Sequence, residues 1–326
     1  MTTKPAGSPG AGSPGFRTGR LEWVFGPLRV GRFVFPPPIQ IALATIGCMQ
    51  LLLVALSRWA IPADEHAYWL AGQRLLSGLP LYALSDQPGT PYAYWYPPPL
   101  AQVLVPVTGV LDAQAFSFAW TVLLLGCLLF LADRRILVAL ALVAFLPVTI
   151  ELWFRNVHLV LAVLVVLALR RHPIWWVAAA AIKGAPGIGI LYLVAARRYQ
   201  DAALVGTAGL VVLAASVLLS PVGWAQWVNL VKFQGSSAGA SLIEIAFPIR
   251  LAVAAVLALI AGRLGGRKGE GLLVVALVVG NPSLYVTAFS LLIAIVPLWH
   301  RPDRPAGEAV GARETSGAAE TSGARP

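Results

Sequence analysis

Along most of this chain, polar positions are confined to short breaks between long apolar runs. The strict alternation of a half-buried strand is missing, and runs such as 39–56 and 202–219 are apolar on every side. A helix without a polar face belongs in a bilayer or deep in a core, and several in one chain point to a bilayer. A span needs about 20 apolar residues to cross roughly 30 Å of hydrocarbon. Candidate spans are 39–56, 98–111, 115–131, 136–150, 157–169, 174–196, 202–219, 248–262 and 272–299. Several are short, and two carry helix breakers at their centres: Lys183 and Pro186 in one, Gly280, Asn281 and Pro282 in the other. Both interrupted segments have basic residues on each flank, as expected of a segment that enters the membrane and folds back. Freed backbone groups are tolerated at that depth where they line a protein cavity. The pattern predicts an all-α polytopic transmembrane bundle of about eight to ten membrane segments.

Composition agrees. Of the 326 residues, 58% are hydrophobic and only 12% charged, against roughly 25% charged in soluble domains. The net charge of +10 raises the possibility of nucleic acid. The arginines, however, cluster at the ends of apolar runs: Arg134–Arg135, Arg170–Arg171, Arg197–Arg198, and Arg263 with Arg267 and Lys268. That is the signal read during membrane insertion, and no nucleic-acid-binding motif accompanies it. Cys48 and Cys127 lie in apolar spans without metal-type neighbours, and no cofactor is implied. Residues 1–38 read as a disordered basic cytoplasmic amino terminus, and 300–326 as a disordered cytoplasmic tail. Residues 39–299 form the membrane domain of a multi-pass plasma-membrane protein. Residues 57–97 make its first outside loop and 220–247 its second, where Trp224, Trp227 and Phe233 suit the interface.

Few acids lie between the tails, and most, Glu151 among them, read as solvated charges beside arginines or in loops. Asp64 and Glu65 stand apart, because they follow the first span and open a stretch with Tyr68, Trp69, Leu75 and Leu76 near helical spacing. That spacing predicts a helix over 65–77 lying along the outer membrane surface. Two readings of the pair stay open: a helix N-cap with a first-turn acid, or a carboxylate kept for chemistry. Lys183, among alanines at a span centre, is poorly placed to snorkel. Arg155, Asn156 and His158 form a second polar cluster, equally readable as an interfacial loop. In "YWYPPP", Pro97 to Pro99 kink or start the next span, while the aromatics, Tyr96 included, could stack on sugar faces.

The order Asp64, Tyr68, Ala71–Gly72, Leu75–Leu76, Gly78, Leu81–Tyr82, then Tyr96–Pro97–Pro98 resembles the first outside loop of glycosyltransferase family 87. Those are membrane enzymes of the GT-C fold, similar to mannosyltransferases that use polyprenol-phosphate-mannose. Lys183 and Pro186 resemble the family's lysine-x-x-proline segment. "RNVHLVL" stands in the place of a G-Q-x-N-L element, and "NPSLYVTAF" resembles a late S-P-x-S-W-x-H element with Thr287 where the histidine often is. The resemblance implies transfer of a hexose, mannose-like, from a polyprenyl-phosphate sugar to a lipid or glycan acceptor on the outer face. Asp64 takes the position of the general base. Glu65, Tyr68, Tyr96, Arg155, Asn156, His158 and Lys183 become substrate-binding candidates, with the cations available to the leaving phosphate. The alternatives are a transporter or flippase of a lipid or small solute, and an inactive relative, which Thr287 keeps in play.

Overall fold

The computed structural model describes residues 27–57, 64–82, 93–236, 245–282 and 284–300. Most of both predicted tails and parts of both outside loops, with two of the acids read as solvated charges (Asp86 and Glu244), lie outside these residues. The described chain is helical, as the apolar runs predict, apart from one small hairpin of β1 (Leu28–Val30) and β2 (Phe33–Phe35).

Helix α1 (Pro37–Ser57) is followed by α2 (Asp64–Leu76), α3 (Pro98–Thr108), α4 (Ala113–Leu131), α5 (Ile136–Val143), α6 (Leu146–Phe154), α7 (His158–Arg170) and α8 (Trp175–Ile182). A 3₁₀ turn (Ala185–Ile188) leads into α9 (Gly189–Ala195), α10 (Tyr199–Leu219), α11 (Pro221–Ser236), α12 (Phe247–Leu264) and α13 (Gly266–Val279). A long 3₁₀ segment (Val286–Ala294) and α14 (Ile295–His300) complete the chain. Helices α1, α4, α10 and α12 are long and apolar enough to cross a bilayer alone, and the α5–α6 pair makes a fifth span bent by 89°. The other expected segments are shorter apolar helices. The sharp bend falls inside 136–150, read from the sequence as one run. Its cause is local, since Pro147 sits in the first turn of α6, where a missing N–H costs nothing.

Both interrupted segments fold back. Arg170, at the far end of α7, donates to Glu270 at the start of α13 and to the carbonyl of Leu298 in α14, each at 2.7 Å. The middle of that segment reaches the opposite end of α7, where Asn281 Nδ2 lies 3.3 Å from His158 Nε2. In the other segment Lys183 meets the same imidazole, while Tyr192 is back within electrostatic reach of Arg170, Arg198 and Glu270. Helix α7 spans about 18 Å, so two hairpin tips meet that far from the basic end. Small residues permit the close packing. A Cβ on Gly47 of α1 would run into the Leu140 carbonyl of α5, and one on Gly262 of α12 into the Tyr192 carbonyl of α9.

Helix α2 forms where the spacing predicts it, and one side of it packs against the bundle. Its Glu65, Ala67, Tyr68, Ala71 and Gly72 are buried against the protein. Gln73 Nε2 donates to the Thr108 carbonyl of α3, and Trp69 Nε1 donates to the Leu111 carbonyl at 2.9 Å. Tyr68 therefore points into the bundle, while Leu76 stays exposed. Beyond Ser220, the second expected loop begins as helix α11.

Candidate functional site

The site is built where four ends meet: the start of α2, the turn between α6 and α7, and the tips of the two hairpins. Pro98 and Pro99 open α3, so the proline run starts this helix. The segment before it is pinned by Tyr94, whose hydroxyl donates to the Pro97 carbonyl and accepts from Ala101 N, both at 3.0 Å. That anchoring fixes Tyr96 beside Tyr68, with the rings edge to face at 5.1 Å.

Asn156 organises the first group of polar side chains. Its Oδ1 accepts from the Tyr96 hydroxyl at 2.9 Å and from Val157 N at 2.7 Å. With both lone pairs engaged, the amide nitrogen must face the other way, and it donates to Asp64 Oδ2. The Tyr68 hydroxyl donates to that of Tyr96 at 3.0 Å, completing a line from Tyr68 through Tyr96 and Asn156 to Asp64. Burial, countered by the Asn156 hydrogen bond and by nearby Lys183, pushes the Asp64 carboxyl up to about 6, with the Glu151 charge adding to the rise.

Glu65 belongs to a second group. Its Oε1 lies 3.0 Å from Arg155 Nη1 and accepts from Ser117 at 2.9 Å. Burial raises this carboxyl too, against the lowering effect of Arg155. Arg155 adopts the left-handed conformation, φ 53°, that ends α6, and its own carbonyl accepts from Trp120 Nε1 at 2.8 Å. The turn that aims Arg155 at Glu65 also places Asn156 against Asp64.

The third group surrounds His158. Lys183, in extended backbone at the end of α8, puts Nζ 2.9 Å from His158 Nε2 and 5.5 Å from the centre of the Tyr96 ring. Glu151 approaches the other ring nitrogen at 3.0 Å. The second hairpin tip is held by Arg250 of α12, which donates to the Asn281 carbonyl at 2.6 Å and the Pro282 carbonyl at 2.8 Å. Asp64, Tyr96 and Lys183 are partly exposed, whereas Asn156, His158 and Glu151 are buried behind them. A carboxylate, a phenol and an ammonium thus face the accessible side of one centre.

All eight residues singled out from the sequence lie in this region, in three linked groups. Glu151 is a correction: read as a solvated charge, it is 0% exposed. A lone acid within "FLPVTIELWF", between two apolar runs, was the available signal. Ser117 and Arg250 were not anticipated, and Asn281 was marked only as one of the breakers at a hairpin tip. Thr287 is buried in the long 3₁₀ segment, with its carbonyl accepting from Ser290 at 2.7 Å.

An apolar crevice of about 170 Å³ opens beside the centre, between α1, α4 and α6. Its walls include Leu51, Val54, Leu124, Leu152 and Trp153, and Arg155 lies at its edge.

The family model for glycosyltransferase family 87 matches residues 94–313, about two thirds of the chain. The match includes Tyr96, Arg155, Asn156, His158 and Lys183, and begins after Asp64, Glu65 and Tyr68. No curated protein and no solved structure matches.

Proposed function

The chain belongs to glycosyltransferase family 87, and from that membership we propose that it transfers a hexose, mannose in our reading, from a polyprenyl-phosphate sugar to a lipid or glycan acceptor. Arg170, Arg198 and Arg267 lie at the end away from the site, which the charge rule assigns to the cytoplasm. The reaction then occurs on the outer side of the plasma membrane.

Asp64 is the general base in this reading. Asn156 occupies one carboxylate oxygen and leaves the other for an acceptor hydroxyl. That hydroxyl oxygen attacks the anomeric carbon while the bond from this carbon to the phosphate oxygen breaks. The phosphate leaves with the bonding electrons, the proton passes to Asp64, and the configuration inverts. A base whose pKa is near 6 is ionised at neutral pH yet takes a proton more readily than an ordinary aspartate. Lys183 offsets the charge developing on the phosphate. The crevice, apolar along its walls, suits the first part of the prenyl chain of the donor.

The observation that supports this reading most is the meeting of Asp64 and Lys183, from segments more than a hundred residues apart, at one partly exposed centre. The test incubates membranes bearing the protein with radiolabelled polyprenyl-phosphate mannose, polyprenyl-phosphate glucose or nucleotide sugars, and identifies the labelled product. Transfer from a polyprenyl-phosphate hexose is expected, with a raised donor KM in Lys183→Ala. Transfer from nucleotide sugars alone would overturn the donor assignment.

A further inference from the structure

A lysine side chain has four rotatable bonds and does not hold its own charge in place. Here a buried pair holds it. Lys183 Nζ lies 2.9 Å from His158 Nε2, and His158 Nδ1 lies 3.0 Å from Glu151 Oε2. The other oxygen of Glu151 accepts the backbone N–H groups of His158 at 2.5 Å and Leu159 at 3.3 Å. Those are first-turn donors of α7; their hydrogen bonds, the helix amino terminus and the charge of Lys183 beyond the ring hold Glu151 as a carboxylate against the cost of its burial. An ionised carboxylate only accepts, and an ammonium only donates. The imidazole between them therefore carries its proton on Nδ1 and presents a lone pair at Nε2.

We propose that Glu151, acting through His158, is a positioning residue for Lys183. It fixes the imidazole tautomer that accepts from the ammonium, and so keeps the cation at the point where the lipid phosphate departs. The proposal rests on the reading of Lys183 as the phosphate-binding cation. It assigns the buried Glu151 a purpose beyond capping α7.

The test uses the full chain in detergent, labelled with ¹⁵N-histidine, and undecaprenyl monophosphate as the binding probe. The wild-type His158 ring should give the pattern of an Nδ1-protonated imidazole. In Glu151→Gln the amide oxygen keeps the backbone contacts while its NH₂ faces Nδ1. The ring must then turn to the Nε2-protonated form, which opposes Lys183, and probe affinity should fall about tenfold. In a His158→Gln background an amide oxygen stands near the position of Nε2 whatever residue 151 is. Adding Glu151→Gln there should change affinity by less than about twofold. An unchanged tautomer in Glu151→Gln, or a tenfold loss that persists in the His158→Gln background, would overturn the proposal. If Glu151→Gln does not fold, His158→Gln against His158→Leu decides, and equal affinities overturn it. Unchanged affinity in Lys183→Ala is a separate outcome that sinks the donor reading itself, because the tautomer is still read independently.

Discussion

Replacing Asp64 by Asn tests the proposed chemistry most directly, because the structure separates the roles of the two carboxylate oxygens. One oxygen accepts from Asn156, and the substituted side chain can keep that contact through its amide oxygen. What disappears is the capacity to take a proton. A positioned base is worth ~10²–10⁴-fold, so kcat should fall by ~10²-fold or more, with donor KM little changed. Stability should move the other way. Burial raises the Asp64 carboxyl from 3.8 to about 6, so the folded protein binds a proton that the unfolded chain has lost between those values. The ionised side chain is therefore unfavourable above about pH 6, and that burden fades as the pH falls towards 4. A neutral amide carries no such burden, so the variant at pH 7 should be at least as heat-stable as the wild type, with the difference narrowing below pH 6. The assays are single-turnover transfer from a labelled polyprenyl-phosphate hexose and a melting curve of the detergent-solubilised protein at pH 5 and 7. Near-normal turnover in Asp64→Asn would exclude this residue as the base. A lower melting temperature at pH 7 would mean that the negative charge of Asp64 in the first turn of α2 stabilises the fold more than its burial costs.

Four further outcomes follow from the same geometry. The pH profile of kcat/KM should rise through about 6, the value of the Asp64 carboxyl, since the base must be ionised; a flat profile from pH 5 to 7 would contradict the assignment. Glu65→Gln should cost less turnover than Asp64→Asn, because Arg155 and Ser117 already occupy its Oε1; an equal collapse would mean that the two acids act as a pair. Tyr96→Phe removes the hydroxyl that orients the Asn156 amide and accepts from the buried Tyr68, so kcat should fall by about fivefold to tenfold and stability by about 1–3 kcal/mol; an unchanged kcat would mean that Asn156 is oriented without it. Gly47→Ala forces a methyl group against the Leu140 carbonyl, and overpacking of this kind costs about 1–3 kcal/mol; unchanged thermal stability would show that α1 and α5 can separate.

Much of the fold was legible along the chain because its causes are local. Apolar runs, arginine flanks and helix breakers each act within a few residues. They sufficed to predict a helical membrane bundle and the breaks at Lys183 and at Gly280–Pro282. The matching basic flanks even predicted the fold-back, which the contacts of Arg170 with Glu270 and Leu298 bear out. Asp64 and Lys183 stood out for the same reason: each is a charge where neighbouring residues give it no use. Tertiary structure decided which groups meet. Helical spacing gave α2 an apolar side but not its partners within the protein, so the meeting of Tyr68 with Tyr96 and Trp120 is seen only in the packed chain. Glu151 looked like any isolated acid, because its burial depends on α7 presenting free N–H groups and on His158 standing between it and Lys183. Asn281 reaches the site only because its hairpin returns to the basic end, and Arg250 holds it from another helix. A sequence records each donor and acceptor, but whether a buried charge is satisfied depends on distances between segments far apart in the chain, and packing alone sets those.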